Sequence, residues 1–304
     1  MIYDIVVIGA GPAGLAAAIY GKRAGRNILV LDTSSISGGQ ILNTYEIDNY
    51  PGMPGVSGEG LAEAMKAHCE KLDVEFARGR VTSIIDKGDT KELITKKATF
   101  ETKAVVIATG ASNKKLGCPG EEELSGMGVS YCATCDGAFF KDKVVAVVGG
   151  GDVALEDAIY LARFCQKVYL IHRRDEFRGA AVLQEQVKAT DKIQIILDST
   201  VEEILGQDKV EAISVKNKNT DAIQQINLDG VFIAVGNVPN TGAIEGLPAQ
   251  DKAGYIIADE TCGTSIDGIY AAGDVRTKQL RQVITATADG ANAIASIERY
   301  LQLS

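Results

Sequence analysis

A chain of 304 residues, 46% hydrophobic and 23% charged, is long enough for two globular domains and carries no compositional sign of disorder. A formal net charge of −9 argues against nucleic acid as a partner and offers no basic tract for an anionic membrane. No apolar stretch approaches the length that spans a bilayer, and six cysteines with only Cys132 and Cys135 at motif spacing are not a secreted disulfide framework.

The first apolar run, Asp4 to Ile8, lacks a basic leader and is too short for a signal peptide, so a cytoplasmic protein is expected. It reads as a strand that turns at Gly9-Ala10-Gly11-Pro12-Ala13-Gly14 into a helix through Tyr20. Glycines at that spacing let backbone N–H groups approach a pyrophosphate and let the helix pack closely on the strand. A second strand, Asn27 to Leu31, ends in Asp32, where a carboxylate accepts hydrogen bonds from an adenosine ribose.

Ser37-Gly38-Gly39-Gln40 and Asn49 to Gly55 are rich in turn formers and read as functional loops. Residues Gly60 to Leu72 read as an amphipathic helix with Leu61, Ala64, Met65, His68 and Leu72 on its apolar face, His68 serving as a structural residue. Strands are expected around Val74 to Phe76, Arg80 to Asp86 and Lys91 to Thr95. A further strand, Ala104 to Ala108, runs into Thr109-Gly110, which suggests a backbone turning sharply under a ligand.

Ser112 to Gly117 looks like a connector and marks a domain boundary. Cys132-Ala133-Thr134-Cys135-Asp136-Gly137 follows. Its C-x-x-C spacing fits a redox disulfide, half of a zinc site or a structural staple. Zinc needs two further ligands, and the histidines, His68 and His172, fall on unrelated elements, so no metal is expected. The other four cysteines read as buried or partly buried free thiols.

Lys143 to Val148 then enters Gly149-Gly150-Gly151-Asp152-Val153-Ala154 and a helix through Ala162, a second dinucleotide-type unit. Two such units in one chain imply two nucleotides and hydride transfer between them. The second strand of this unit, Lys167 to Ile171, ends in His172-Arg173-Arg174, with Arg178 close behind, instead of an acid. Guanidinium groups there fit a ribose 2′-phosphate, hence NADP(H) over NAD(H). Short strands are expected near Ile193 to Leu197, Ala212 to Lys216 and Val231 to Val235, and a second boundary near Gly242 to Gly246. The strand Gly268 to Ala272 ends in Gly273-Asp274, and a helix from Val283 to Leu301 closes the chain. The middle of the chain thus reads as a domain inserted into another.

In this order and spacing, Gly9 to Gly14, Gly38-Gly39-Gln40, Asn49-Tyr50-Pro51-Gly52, Ala108-Thr109-Gly110, Cys132 to Gly137, Gly149 to Ala154, His172-Arg173-Arg174 with Arg178, Ala272-Gly273-Asp274 and Arg281-Gln282 resemble the low-molecular-weight, bacterial-type thioredoxin reductases. These are class II pyridine nucleotide-disulfide oxidoreductases, and the likeness spans essentially the whole chain. It implies an α/β fold of two Rossmann-like dinucleotide-binding domains, a discontinuous FAD domain (1–112 and 246–304) and an inserted NADPH domain (113–245) carrying the C-x-x-C pair.

The resemblance assigns FAD to Gly9, Gly11, Pro12, Ala13, Gly14, Asp32, Gly39, Gln40, Asn49, Thr109, Gly110, Gly273, Asp274, Arg281 and Gln282. It assigns NADPH to Gly149, Gly151, Asp152, Val153, Ala154, His172, Arg173, Arg174 and Arg178. It further implies a homodimer that alternates between two domain orientations. Cys135 is then the flavin-side thiol, Cys132 attacks the disulfide of oxidised thioredoxin, and Asp136 gives and takes the thiols' protons. Rival readings on the same scaffold are a reductase serving a peroxidase or glutaredoxin-like protein, a dithiol oxidase and a ferredoxin-fed relative. The arginine cluster speaks against the last two.

Overall fold

The computed structural model describes every residue except Met1, Tyr45, Ala243 and Ser304. Met1 at the chain start and Ala243 within the expected second boundary therefore lie outside the described residues. The chain forms two compact units, residues 1–112 with 238–304, and residues 113–237.

In the first unit, β1 (Ile2–Ile8), α1 (Pro12–Arg23) and β2 (Ile28–Asp32) make the opening strand, helix and strand. The near-continuous apolar run of β1 has a direct cause: the strand is buried on both faces, as strands of parallel sheets are. Ile5 and Val7 enter a core shared with Leu15 of α1, while Val6 and Ile8 enter a second core with Ile84 and Leu93. After α2 (Gly58–Lys71) come β3 (Glu75–Arg78), β4 (Val81–Asp86), β5 (Lys91–Thr95) and β6 (Thr99–Ile107). The sheet order is β3-β2-β1-β6-β5-β4, parallel from β3 to β6 and antiparallel beyond. The order reverses at β1, which places the glycine turn after β1 at a topological switch point, where such sheets bind ligands.

The chain crosses to the second unit in β7 (Ala111–Asn113). There β8 (Val129–Ser130) precedes a short turn of helix, α3 (Ala133–Asp136), and then β9 (Val144–Gly149), α4 (Asp152–Ala162), β10 (Lys167–Ile171), α5 (Ala181–Lys188) and β11 (Ile193–Ile196). An antiparallel sheet of β12 (Ser199–Leu205), β13 (Ala212–Asn217) and β14 (Ile223–Asn227) follows, and β15 (Gly230–Ala234) completes a parallel sheet in the order β11-β10-β9-β15-β8. Alternate residues of β9 again serve two cores. Val145 and Val147 meet Leu155 and Leu161 of α4, and Ala146 and Val148 meet Val201, Ile213 and Val215 of the antiparallel sheet. Each such unit is a three-layer, Rossmann-like α/β arrangement.

The chain returns in β16 (Asn237–Pro239), and the first unit closes with β17 (Ile269–Ala271) and α6 (Val283–Leu303). The long β6 has β1 on one edge and divides the other: residues 99–102 pair with β5 and 105–107 with β17. Residues 238–245 belong to the first unit, where Glu245 N donates to Thr82 O at 2.9 Å.

The expected helix over Gly60 to Leu72 is present as α2, but its buried face is Leu61, Ala62, Met65 and Cys69, and Ala64 and His68 are exposed. Cys69, a small hydrophobe whose thiol donates to Leu15 O, takes the inward position given by sequence to His68. No helix among the described residues is long and apolar enough to cross a membrane.

Candidate functional site

The first nucleotide turn is built by close approach. Gly14 admits no side chain, because a Cβ there would lie 1.9 Å from Gly9 O. Pro12 occupies the first turn of α1, where its missing N–H costs nothing, and Gly11 at the N-cap supplies no side-chain cap. The N–H groups at that end are thus left facing the turn, positioned for an anion. Gly39 joins from the next loop, with Gly11 Cα 3.5 Å from where its Cβ would be, and Gly38 N donates to Ala10 O. Asp32, at the end of β2, accepts from Ala10 N at 2.5 Å and from Ser34 N at 2.9 Å. The acid expected to face a ribose is therefore fixed by the turn's own backbone.

The remaining first-unit residues singled out by sequence gather in small groups. Gln40 donates to Ala111 O, and Asn49 Nδ2 donates to Gln282 Oε1 at 3.0 Å, joining positions far apart in sequence. Thr109 O and Gly110 O are held by Asn240 through Nδ2 and N, both at 2.9 Å. Gly273, at φ +78°, lies against Ala13 of α1 and brings Asp274 to the same end of the sheet. The Arg281 guanidinium stacks 4.2 Å from the Tyr255 ring centre.

Beneath Asp274 lies a buried ion cluster that sequence reading did not find. The Asp289 carboxylate accepts from Arg276 Nε and Nη2, each at 2.9 Å, from Lys278 Nζ at 2.8 Å and from Gly273 N at 2.9 Å. Burial pushes the Asp289 carboxyl up, but the bonds from Arg276 and Lys278 more than offset it, and the net shift is downward. Asp274 shifts the other way: burial raises it, opposed by Lys278 and Arg281. A signal for Asp289 did exist, since it stands at helical spacing between the buried Ala286 and Ala293 of α6.

In the second unit Gly151 caps α4 without a side-chain bond, and nothing lies within 4 Å of where its Cβ would be. The turn is open there, and Val153 beside it is exposed. Gly149 packs on Ala234 O and Ala154 is buried, while Asp152 Oδ1 accepts from Ala180 N at 2.7 Å. A Cβ on Gly150 would lie 2.2 Å from the His172 ring, so glycine is required for the histidine to lie on the turn. Arg178 N donates to Gly150 O at 2.7 Å. These two contacts hold the 172–178 loop to the nucleotide turn. Arg173, Arg174 and Arg178 are exposed and make no ion pair among the described residues. His172 is buried, and burial, together with the three arginines, holds its imidazole below the usual value.

Four buried side-chain polar atoms among the described residues lack a hydrogen-bond partner: Thr109 Oγ1, Asp274 Oδ1, Arg281 Nε and His172 Nε2. Buried polar groups without partners are rare, and each costs about 1–3 kcal/mol unless something satisfies it. All four belong to residues that the family resemblance assigns to nucleotide cofactors. The residues present therefore fit a flavin nucleotide on the first unit and a pyridine nucleotide on the second.

The thiol pair sits in the second unit. Cys132 and Cys135 form a disulfide with Cα atoms 5.3 Å apart, half-buried, on the turn that begins α3. The segment after it packs closely on α4 and the residues that follow it, since a Cβ on Gly137 would lie 3.0 Å from Leu161, 3.1 Å from Phe164 and 3.3 Å from Tyr160, tighter than ordinary contact. Asp136 is held by Ser130, whose Oγ is 2.5 Å from Asp136 Oδ2. Tyr131 donates to the buried Glu121 at 2.8 Å, and Glu121 also accepts from Leu116 N and Gly117 N. The remaining thiols are poor nucleophiles by comparison. Burial pushes Cys69, Cys118 and Cys165 up to about 11 and Cys262 up to about 12.

Residues 3–290 match the family of pyridine nucleotide-disulphide oxidoreductases. The chain is 46% identical over 303 residues to a thioredoxin reductase of Listeria innocua, covering 99% of this chain and 94% of that one. It is 42% identical over 302 residues to a thioredoxin reductase of Bacillus subtilis, covering 99% and 95%. The crystal structure of thioredoxin reductase from Streptococcus pyogenes superposes with a TM-score of 0.96 at 46% identity, covering 100% of this chain and 99% of that one. Matching over nearly its whole length, the chain belongs to the pyridine nucleotide-disulphide oxidoreductase family, with thioredoxin reductases as its relatives.

Proposed function

We propose that the chain is an NADPH-dependent flavoprotein that reduces the disulfide of thioredoxin through Cys132 and Cys135. The observation that carries this reading is the coincidence of the four unpartnered buried atoms with two nucleotide turns, in a chain whose C-x-x-C pair closes a disulfide. FAD would be held by the Gly9 to Gly14 turn, Asp32, Gly39, Gln40, Asn49, Thr109, Gly110, Gly273, Asp274, Arg281 and Gln282. NADPH would be held by Gly149, Gly151, Asp152, Val153, Ala154, His172, Arg173, Arg174 and Arg178. Bound there, the two cofactors supply hydride chemistry that the side chains lack.

The protein's own part begins at the nucleotide turns, where unpaired N–H groups receive phosphate oxygens. Three unpaired arginines receive a further phosphate on the ribose. Asp274 Oδ1 and Thr109 Oγ1 offer an acceptor and a hydroxyl to the flavin nucleotide's polar groups. At the thiol pair, Cys132 attacks the substrate disulfide, Cys135 resolves the mixed disulfide, and Asp136 holds the proton that moves between sulfurs. A homodimer in the cytoplasm belongs to the same reading, with the unit of residues 1–112 and 238–304 taken for FAD and the unit of residues 113–237 for NADPH.

The test is steady-state reduction of the host's thioredoxin with NADPH and with NADH. The proposal expects NADPH to be preferred by roughly tenfold to a hundredfold or more, the worth of one or two charge-assisted hydrogen bonds. Equal rates would sink the phosphate reading of the arginines. Faster turnover of a peroxidase or glutaredoxin-like protein than of thioredoxin would overturn the substrate.

A further inference from the structure

Asp136 is asked to gain and lose a proton in each cycle, in a half-buried place where an unpartnered carboxylate or carboxyl would be costly. Its side chain has one hydrogen-bond partner among the described residues, the hydroxyl of Ser130. Ser130 ends β8 and is 5% exposed, so solvent does not compete freely for it.

The Ser130 hydroxyl stands at a junction of three groups. Its oxygen accepts from Cys132 N at 3.1 Å, lies 2.5 Å from Asp136 Oδ2, and has the Cys132 carbonyl oxygen at 3.4 Å as a second acceptor. A hydroxyl carries one proton and two lone pairs. With Asp136 ionised, the Ser130 proton points to Oδ2, and one lone pair takes the Cys132 N–H. With Asp136 protonated, the carboxyl O–H donates to the second lone pair, and the serine proton turns to the Cys132 carbonyl. The hydroxyl proton and the lone pair that takes the Cys132 N–H are used in both states, and the second lone pair is used when Asp136 is protonated.

We propose that Ser130 is a positioning residue that keeps Asp136 hydrogen-bonded in both its protonation states, by turning its hydroxyl between the Asp136 carboxylate and the Cys132 carbonyl. This rests on the reading of Asp136 as the proton carrier of thioredoxin reduction. In that exchange a Cys132 thiolate attacks a disulfide sulfur, one S–S bond forms as another breaks, and the departing sulfur leaves as a thiolate. The proton on Asp136 goes to that sulfur. The Cys135 thiol then returns a proton to the carboxylate and, as a thiolate, attacks the Cys132 sulfur of the mixed disulfide. The Cys132–Cys135 bond forms as the mixed disulfide breaks, and the second substrate sulfur leaves as a thiolate that takes its proton from water. The acid ends as it began, and Ser130 has turned twice.

The charges around Asp136 are consistent with this role. Burial pushes its carboxyl up and the bond from Ser130 pulls it down; no charged side chain adds a resolved effect. The ionisable groups on the segments packed about it are Tyr131, Lys141, and Asp152, Glu156, Asp157 and Tyr160 of α4. The cysteines join them only when reduced. Among the described residues, the Ser130 hydroxyl is the side-chain group hydrogen-bonded to the acid.

The experiment is a titration of the Asp136 carboxyl by difference infrared spectroscopy in the oxidised holoprotein, where neither Cys132 nor Cys135 titrates. The band is identified by its loss in Asp136→Asn. Ser130→Ala removes a donor to the ionised form and is expected to raise the carboxyl's midpoint by about one pH unit. The alkaline limb of the pH profile for thioredoxin reduction, where Asp136 starts the exchange without its proton, should move the same way, with flavin reduction by NADPH unchanged. Ser130→Thr keeps a hydroxyl and should restore both. A midpoint in Ser130→Ala equal to wild type, or a Thr variant that behaves like Ala, would overturn the proposal. A wild-type protein inactive on thioredoxin, yet with a carboxyl that moves in Ser130→Ala and returns in Ser130→Thr, would overturn the substrate reading and support the hydroxyl switch.

Discussion

The side chains that carry the chemistry divide by how far their partners lie along the chain. Cys132, Cys135 and Asp136 lie within five positions. Although C-x-x-C spacing alone leaves a redox pair, half a zinc site and a staple open, the two nucleotide turns on either side of it make the redox reading legible in sequence. So is the arginine cluster, because Arg173, Arg174 and Arg178 share one loop, held to the nucleotide turn by His172 and by Arg178 N. Ser130 and Asp289 were not legible in this way. Ser130 is an ordinary polar residue at a strand end until folding brings Asp136 to it, and Asp289 gains meaning only when Arg276 and Lys278 close on it. Two predictions belong at this scale. Cys135→Ser should abolish thioredoxin reduction while anaerobic bleaching of the flavin by NADPH survives; loss of both would show that the half-reactions are not separate. Arg174→Ala with Arg178→Ala should raise KM for NADPH about tenfold or more and leave KM for NADH nearly unchanged, since each guanidinium contributes only where a phosphate is present. An equal rise for both nucleotides would refute the assignment.

At the scale of elements, the two strand-turn-helix units were legible because each combines a mostly buried apolar strand with glycines that the close packing requires. The antiparallel sheet was only partly so. β14 buries one residue of five, so its sequence has no apolar alternation to read, and an irregularity between Val201 and Glu203 breaks the alternation of β12. The α6 helix was legible in extent, but its buried acid was not given a role. That acid supports a prediction with a sign. The folded Asp289 carboxyl lies below its unfolded value, so its contribution to stability is present above about pH 4 and is lost as pH falls through the folded value. Asp289→Asn leaves Arg276 and Lys278 buried without their counter-charge, and should destabilise the protein by about 3–5 kcal/mol at neutral pH. It should also loosen the Gly273-Asp274 turn, seen as faster loss of bound FAD on dilution. In denaturant titrations the gap from wild type should narrow toward acid pH; a gap that widens would show the sign to be wrong.

For the whole molecule, the chain joins two nucleotide units by two crossings, with its thiol pair on the second unit. That plan is legible in sequence because the glycine turn repeats, and the changed residue type at the end of the second strand, Asp32 against His172-Arg173-Arg174, is what the proposed assignment of the two nucleotides rests on. The central claim is that electrons from NADPH reach Cys132 and Cys135 and leave from there. The most direct measurement is anaerobic reduction with a stoichiometric amount of NADPH, followed by alkylation and peptide mass spectrometry. The account predicts new alkyl groups on Cys132 and Cys135, none on the buried Cys69, Cys165 and Cys262, and loss of the new label when oxidised thioredoxin is added before the alkylating reagent. A flavin bleached by NADPH with Cys132 and Cys135 still joined would contradict it.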